Sequence, residues 1–414
     1  MMVSTRRYSS RWRGTRGTVN KMAVKLGDIC NKIGSGFTPT GGSNVYVDSG
    51  VALVRSQNVL NMAFSTDGLA FINESIASAM DNVSLCENDI LLNITGDSVA
   101  RMCLVPKEIL PARVNQHVCI IRVDDKKANP QFVYYQLYGL QKNLLSLASV
   151  GATRKALTKQ MIEDLEIELP VRQLQDNIVA IMSNIQSKID VNKTINDNLL
   201  VQLWSLYEHL IVKKSNDSIK IGDVAKIYSG GTPNTSNPDY WGGDYGWLSS
   251  GETRNRFILD TEKTITEAGI ANSSTRLANE LDTVIALAGQ GLTRGQTSIL
   301  FTKTYVNQSV IVVNSVEQYA YLVFCNLSRR YDELRTLSDS MSIRGSITTK
   351  MIADLEMPIV GTDQLDMFNN NAKDILSKIK VNISEIRVLK DLRDYILPKL
   401  MSGEIDVSTL EIPN

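Results

Sequence analysis

The phrase KLGDICNKIGSGFTP at residues 25–39 returns, little altered, as KIGDVAKIYSGGTP at residues 220–233. This recurrence constrains the fold more than any other feature, because the correspondence runs on down the chain. ENDILLNITGDSVAR (87–101) is answered by ELDTVIALAGQGLTR (280–294), aligning Asp89 with Asp282, Gly96 with Gly289 and Arg101 with Arg294. VNQHV at Val114 is answered by VNQSV at Val306, and RKALTKQMIEDLEIELP from Arg154 by RGSITTKMIADLEMPIV from Arg344. SKIDVN (187–192) returns as SKIKVN (377–382), and the offset drifts only from 195 to 190 residues. Ordered matches at a nearly constant offset describe a tandem duplication of a unit of about 190 residues.

Each unit has two parts. The first mixes short β-like runs (90–94, 118–123, 284–287, 310–313) with Gly, Asn, Pro and Ser turns, and reads as a compact α+β globule. Asp28 and Asp223 are placed to cap a short helix that the following SGxTP would end. The second part is helical. A strict 4,3 spacing picks out Ile178, Met182, Ile185, Ile189, Asn192, Asn196, Leu199, Leu203, Leu206 and Leu210. Its counterpart picks out Phe368, Ala372, Ile375, Ile379, Asn382, Ile386, Leu389, Arg393, Ile396 and Leu400. Heptad spacing sustained this long predicts two long helices pairing as an antiparallel coiled coil, with Pro398 interrupting the second near its end. The seam is expected to include Ile185, Ile189, Asn192, Leu199, Ile375, Ile379, Asn382 and Leu389. Asn192 and Asn382 either lie buried, where they would fix register, or face solvent at the ends of the contact.

The expected division is a basic, disordered extension at 1–21, a first globule at 22–171 and a central helix at 172–214. A second globule follows at 215–361, then a helix and tail at 362–414. Residues 1–21 carry Arg6, Arg7, Arg11, Arg13, Arg16 and Lys21 without an acid. A transit peptide or a DNA-binding arm has this composition, and so does an extension upstream of a natural start at Met22, the reading preferred.

Composition removes several function classes. No run of about 18 apolar residues exists, so no membrane span is expected. The 44 basic residues balance 44 acidic ones, so a nucleic-acid surface would have to be local. Five scattered cysteines, none in a CxxC pair, point to a reducing cytoplasm. Two histidines, His117 and His209, leave little material for a metal site or a histidine-based triad, and no metal or cofactor is expected. GQGLTRG (289–295) lacks the lysine of a phosphate loop and runs into an extended stretch. NPDY (237–240) lacks the second proline of the adenine-binding tetrapeptide of amino-methyltransferases and reads as a turn. Glu163, Asp164, Asp354 and Glu356 have no histidine or second acidic pair for acid–base work.

The paired openings, YWGGDYGWLSSGE (240–252), the paired VNQ, the paired MIxDLE and the ending LPKLMSGEIDV (397–407) together resemble the specificity subunits of type I restriction–modification systems. The resemblance covers essentially everything after Met22. It implies that each globule is a target-recognition domain reading one half of a split, asymmetric site on double-stranded DNA. The helices would set the gap and dock two methyltransferase subunits, with restriction and translocase subunits joining the complex. The chain itself would catalyse nothing.

Base readers are sought where the repeats differ: Arg55, Gln57 and Asn58 in the first half, Thr253, Arg254 and Arg256 in the second. The alternative for each is an ordinary solvated turn. Phosphate contacts suit what the repeats share: Ser35, Gly36 and Thr38 with Ser229, Gly230 and Thr232, plus Arg101 with Arg294 and Arg154 with Arg344. SGxTP reads equally well as a structural turn, and Asn115, Gln116, Asn307 and Gln308 as residues that tie loops together. Two other function classes stay open: a coiled-coil scaffold without DNA reading, and a self-contained DNA methyltransferase.

Overall fold

The computed structural model describes residues 21–149, 155–288, 292–341 and 346–410. They form two compact units: one takes the described residues up to Gln186 and those from Asp391 onward, the other Ser187–Lys390. Both are mixed α and β.

In the first unit, strand Met22–Lys25 pairs antiparallel with Glu166–Leu169, so the globule's first and last strands lie side by side. Between them stand two four-stranded sheets. One runs Cys30–Ser35, Val118–Val123, Ile90–Asn93, Met102–Leu104, and the other Ala112–Val114, Val51–Val54, Ala70–Ile72, Tyr46–Val47. The apolar runs VALV, ILLN and VCIIRV are buried almost throughout, as strands covered on both faces must be. Helix Pro130–Gly139, capped by the Asn129 side chain and opened by proline, puts Phe132 and Val133 into the core.

The second unit repeats the plan. Asp217–Lys220 pairs with Glu356–Ile359. One sheet runs Ala225–Ser229, Val310–Ser315, Thr283–Ala286, Thr297–Leu300, Phe257–Ile258, the first unit's order with one strand added. The other runs Lys263–Ile265, Trp241–Leu248, Thr304–Val306, Arg276–Ala278. Its parallel pair, 241–248 with 304–306, matches the pair 51–54 with 112–114, while the edge strands differ.

The long helices are Arg172–Tyr207 and Thr362–Ser402. In the first unit Ile178 and Met182 share a core with Leu397 and Leu400. In the second, Leu203 and Tyr207 share one with Phe368, Ala372 and Ile375, so rising numbers on one helix meet falling numbers on the other. Burial of each such side chain stabilises by about 1.5–3 kcal/mol. Among the seam residues, Ile189, Asn192, Ile375, Ile379 and Asn382 are buried, and Ile185, Leu199 and Leu389 half-buried. Both asparagines find partners: Asn382 Nδ2 donates to Asn196 Oδ1 at 2.8 Å, and Asn192 Nδ2 to Glu385 Oε2 at 2.9 Å.

Two local expectations are corrected. Asp28 and Asp223 sit inside the first turn of their short helices, whose caps are Lys25 and Lys220 with no side-chain bond. Those turns end in the strands Cys30–Ser35 and Ala225–Ser229, drawn into extended form by pairing with Val118–Val123 and Val310–Ser315, well before SGxTP arrives. Pro398 does not interrupt its helix, which runs on to Ser402 because Leu397 and Leu400 are held in the core on either side. The helix stops at Gly403, whose φ of 82° is the left-handed conformation that closes a helix end. Residues 1–20, Arg154 and Arg344 lie outside the described residues.

Candidate nucleic-acid interface

Three loops meet at the same place in each globule, and two of them are the shared motifs. Gly36 N donates to Asn115 O at 3.2 Å, and Gly230 N to Asn307 O at 3.2 Å. A side chain at either glycine is excluded, since a Cβ would lie 1.8 Å from Val114 O or 1.9 Å from Val306 O. SGxTP is therefore a structural turn in both units, built on close backbone contact with VNQ. The hydroxyl of Thr38 donates to Gln116 Oε1, and that of Thr232 to Gln308 Oε1. Asn115 Oδ1 accepts from His117 N, and Asn307 Oδ1 from Ser309 N, each at 3.0 Å. The asparagines tie the loop internally and are buried, whereas Gln116 and Gln308 are exposed.

The third loop is where the repeats diverge. Asn115 N donates to Val54 O at 3.0 Å and Asn307 N to Leu248 O at 3.1 Å, so VNQ rests against the strand that leads into the divergent turn. That turn is closed by one buried side chain. In the first unit it is Asn58, which accepts from Arg55 N at 3.0 Å and donates to Ser65 O at 2.9 Å. In the second it is Glu252, which accepts from Ser249 N at 2.9 Å and from Glu262 N at 2.8 Å. Segments 53–62 and 247–256 occupy equivalent places in the two repeats, and Asn58 and Glu252 hold the same position within them although their side chains differ. The signal was available in the distance of each from the end of the preceding apolar strand.

The candidate base readers fall into distinct environments. Gln57 and Arg254 are exposed, and Arg55 is half-buried. Arg55 Nη2 donates to Gly68 O at 2.5 Å and its guanidinium lies 5.7 Å from the Tyr46 ring centre. Arg254 pairs with Glu262 at 2.7 Å in an exposed ion pair of small net worth. Asn58 and Thr253 are buried and hydrogen-bonded within the fold. Arg256 stacks at 5.1 Å on Trp204 of the central helix, and burial lowers its pKa.

The candidate phosphate contacts divide too. Ser35 and Thr38 are exposed, while Gly36, Ser229, Gly230 and Thr232 are half-buried around the shared loop. Arg101 is exposed, but Arg294, aligned with it, is buried against Asp339. Among the described residues no group of three or more His, Cys, Asp or Glu could hold a metal. No helix among them is long and apolar enough to cross a membrane.

The chain builds the same α+β globule and long helix twice, each globule presenting a divergent turn on a shared loop platform. It belongs to the family of type I restriction modification DNA specificity domains, whose model matches residues 18–200 and again 213–384. It is similar to the type I restriction enzyme MjaIX specificity subunit of Methanocaldococcus jannaschii, 22% identical over 288 residues, covering 63% of this chain and 66% of the relative. It is also similar to the EcoR124I/EcoR124II specificity subunit of Escherichia coli, 23% identical over 251 residues, covering 57% and 60%. The chain thus spans less than two thirds of the length of these relatives. The crystal structure of a type I restriction–modification S subunit from M. genitalium has the same fold, with TM-score 0.54 at 15% identity over 94% of this chain and 98% of that one.

Proposed function

We propose that this chain is the DNA sequence-recognition subunit of a type I restriction–modification complex and is itself non-catalytic. Each globule, 22–171 and 215–361, reads one part of a split, asymmetric site on double-stranded DNA. The two helices set the gap and dock two methyltransferase subunits, and restriction and translocase subunits join that assembly in the cytoplasm. The observation that carries this reading is the three-loop junction, in which backbone geometry is the same in both units while the exposed side chains of the third loop differ. A reader of two different half-sites needs such a surface, with register fixed by common contacts and sequence read by variable ones.

Within that surface Arg55 and Gln57, and Arg254, are the side chains best placed to reach base edges. Asn58 and Thr253 shape the turn behind them, and Arg256 anchors it to the central helix. Ser35 and Arg101, both exposed, are left to meet phosphate, since the hydroxyls of Thr38 and Thr232 are taken up by Gln116 and Gln308. The test is co-expression with the methyltransferase partner in a methylation-free host, mapping N6-methyladenine across the genome against a partner-only control. A split motif with one fixed gap, seen only with both proteins, is the expected outcome. A verified soluble complex that leaves no mark at any site would favour a scaffold.

A further inference from the structure

Gln116 and Gln308 stand out among the residues the two units share because their role is not spent inside the fold. Nearly every other shared polar group at the junction is consumed there. The Asn115 and Asn307 amides cap their own turns, and the glycines pack against backbone. Each glutamine is exposed and held by a threonine hydroxyl on its Oε1, which leaves the Nε2 amide, a donor of two N–H groups, outside that bond. In the second unit Gln308 Nε2 makes no hydrogen bond to any described residue. In the first, Gln116 Nε2 lies 3.3 Å from His117 Nε2. Both residues are exposed and sit one residue beyond the asparagine whose N–H braces the divergent turn.

We infer that Gln116 and Gln308 are paired DNA-backbone contacts, each donating an amide N–H to a phosphate oxygen beside the bases its own globule reads. The inference rests on the DNA-reading function proposed above. Its logic is that of the duplication. Two half-sites of different sequence share the sugar–phosphate backbone at every position, so a pre-oriented donor kept in both modules suits a backbone contact. A neutral donor also suits a chain without net positive charge, since it fixes register without adding to non-specific attraction.

The experiment uses the intact complex of this chain with its methyltransferase subunits and two probes: duplex DNA bearing the mapped split motif, and a scrambled duplex of equal length. Affinity is measured over a series of salt concentrations for wild type, Gln308→Ala and Gln308→Glu. Alanine is expected to weaken both duplexes by the same factor, about tenfold, with the dependence on salt unchanged. Glutamate keeps the oxygen that accepts from Thr232, so the loop stays closed. It is expected to weaken binding further than alanine at low salt and to recover as salt screens the repulsion. Wild-type affinity in Gln308→Glu would overturn the inference. So would a Gln308→Ala variant that loses affinity for the motif duplex alone and keeps its scrambled-duplex affinity, which would make the residue a base reader. If wild type itself failed to distinguish the two duplexes, the DNA-reading function would fall first and the inference with it.

Discussion

At the same point of the two repeats stands a buried aspartate, and the two units satisfy it differently. Asp89 accepts from Cys86 N at 2.8 Å and from two nitrogens of Arg122, each at 2.7 Å, a bidentate ion pair in which the carboxylate is wholly buried. Asp282 accepts from Asn279 N at 2.7 Å in the same way, but its second partner is the neutral amide of Asn314, also at 2.7 Å. The backbone problem, closing the turn before a buried strand, is solved identically, while the electrostatics have been exchanged. Arg122 is held in its charged form by Asp89, whereas burial pushes the Asp282 carboxyl above the usual range. The duplication conserved geometry and left charge free to drift, and the same rule separates the invariant platform from the divergent turn above it.

The largest expected effect breaks this comparison at its charged side. Asp89→Asn leaves the Arg122 guanidinium without its counter-charge and should cost about 3–5 kcal/mol. Asp282→Asn, with a neutral partner, should stay within about 1 kcal/mol of wild type. Hydrogen exchange on the strands Ile90–Asn93 and Thr283–Ala286 reports each unit separately, and equal losses would end the claim of different electrostatics.

Next come the platform glycines. Gly36→Ala and Gly230→Ala drive a methyl group into Val114 O or Val306 O, and should each cost about 1–3 kcal/mol, in equal measure. A difference larger than their joint error would show that the two platforms are not equivalent.

The smallest effect is a pH slope confined to the second unit. Because the folded-state pKa of Asp282 is raised, its contribution to stability is fully present below the ordinary aspartate value. It is lost as pH rises through the raised one. Asp282→Asn should flatten that part of the second unit's stability profile, as read by hydrogen exchange across mildly acidic pH, and leave the first unit's unchanged.

The duplication, the strands and the helix seam were legible because they rest on periodicity, which local sequence records. Ile178 through Leu210 announce a buried stripe whatever they pack against. The candidate interface was legible only as a region. Whether Gln57 or Asn58 faces outward depends on a three-residue helical turn whose closing bonds reach Ser65, and the exposure of Gln116 depends on Thr38, far away in sequence. Arg101 and Arg294 align residue for residue, yet one is exposed and the other buried, because Asp339 comes from a helix that no local pattern connects to Arg294. Long-range partners decide side-chain roles, and a single sequence carries no record of them. The same limit explains Asp28 and Asp223, whose capping role was lost to strand pairing that begins two residues later.

The clasp at the base of each globule has a consequence for how such a chain can change. Met22 faces Leu169 and Asp217 faces Ile359, so each globule enters and leaves through one short ribbon, and its long helix departs directly afterwards. Everything between the two halves of a clasp is topologically a single insertion with neighbouring ends. A recombination event with both crossovers in the clasp would exchange one globule whole and leave the helices and the other globule's sequence intact. Novelty can then come to this chain one cassette at a time.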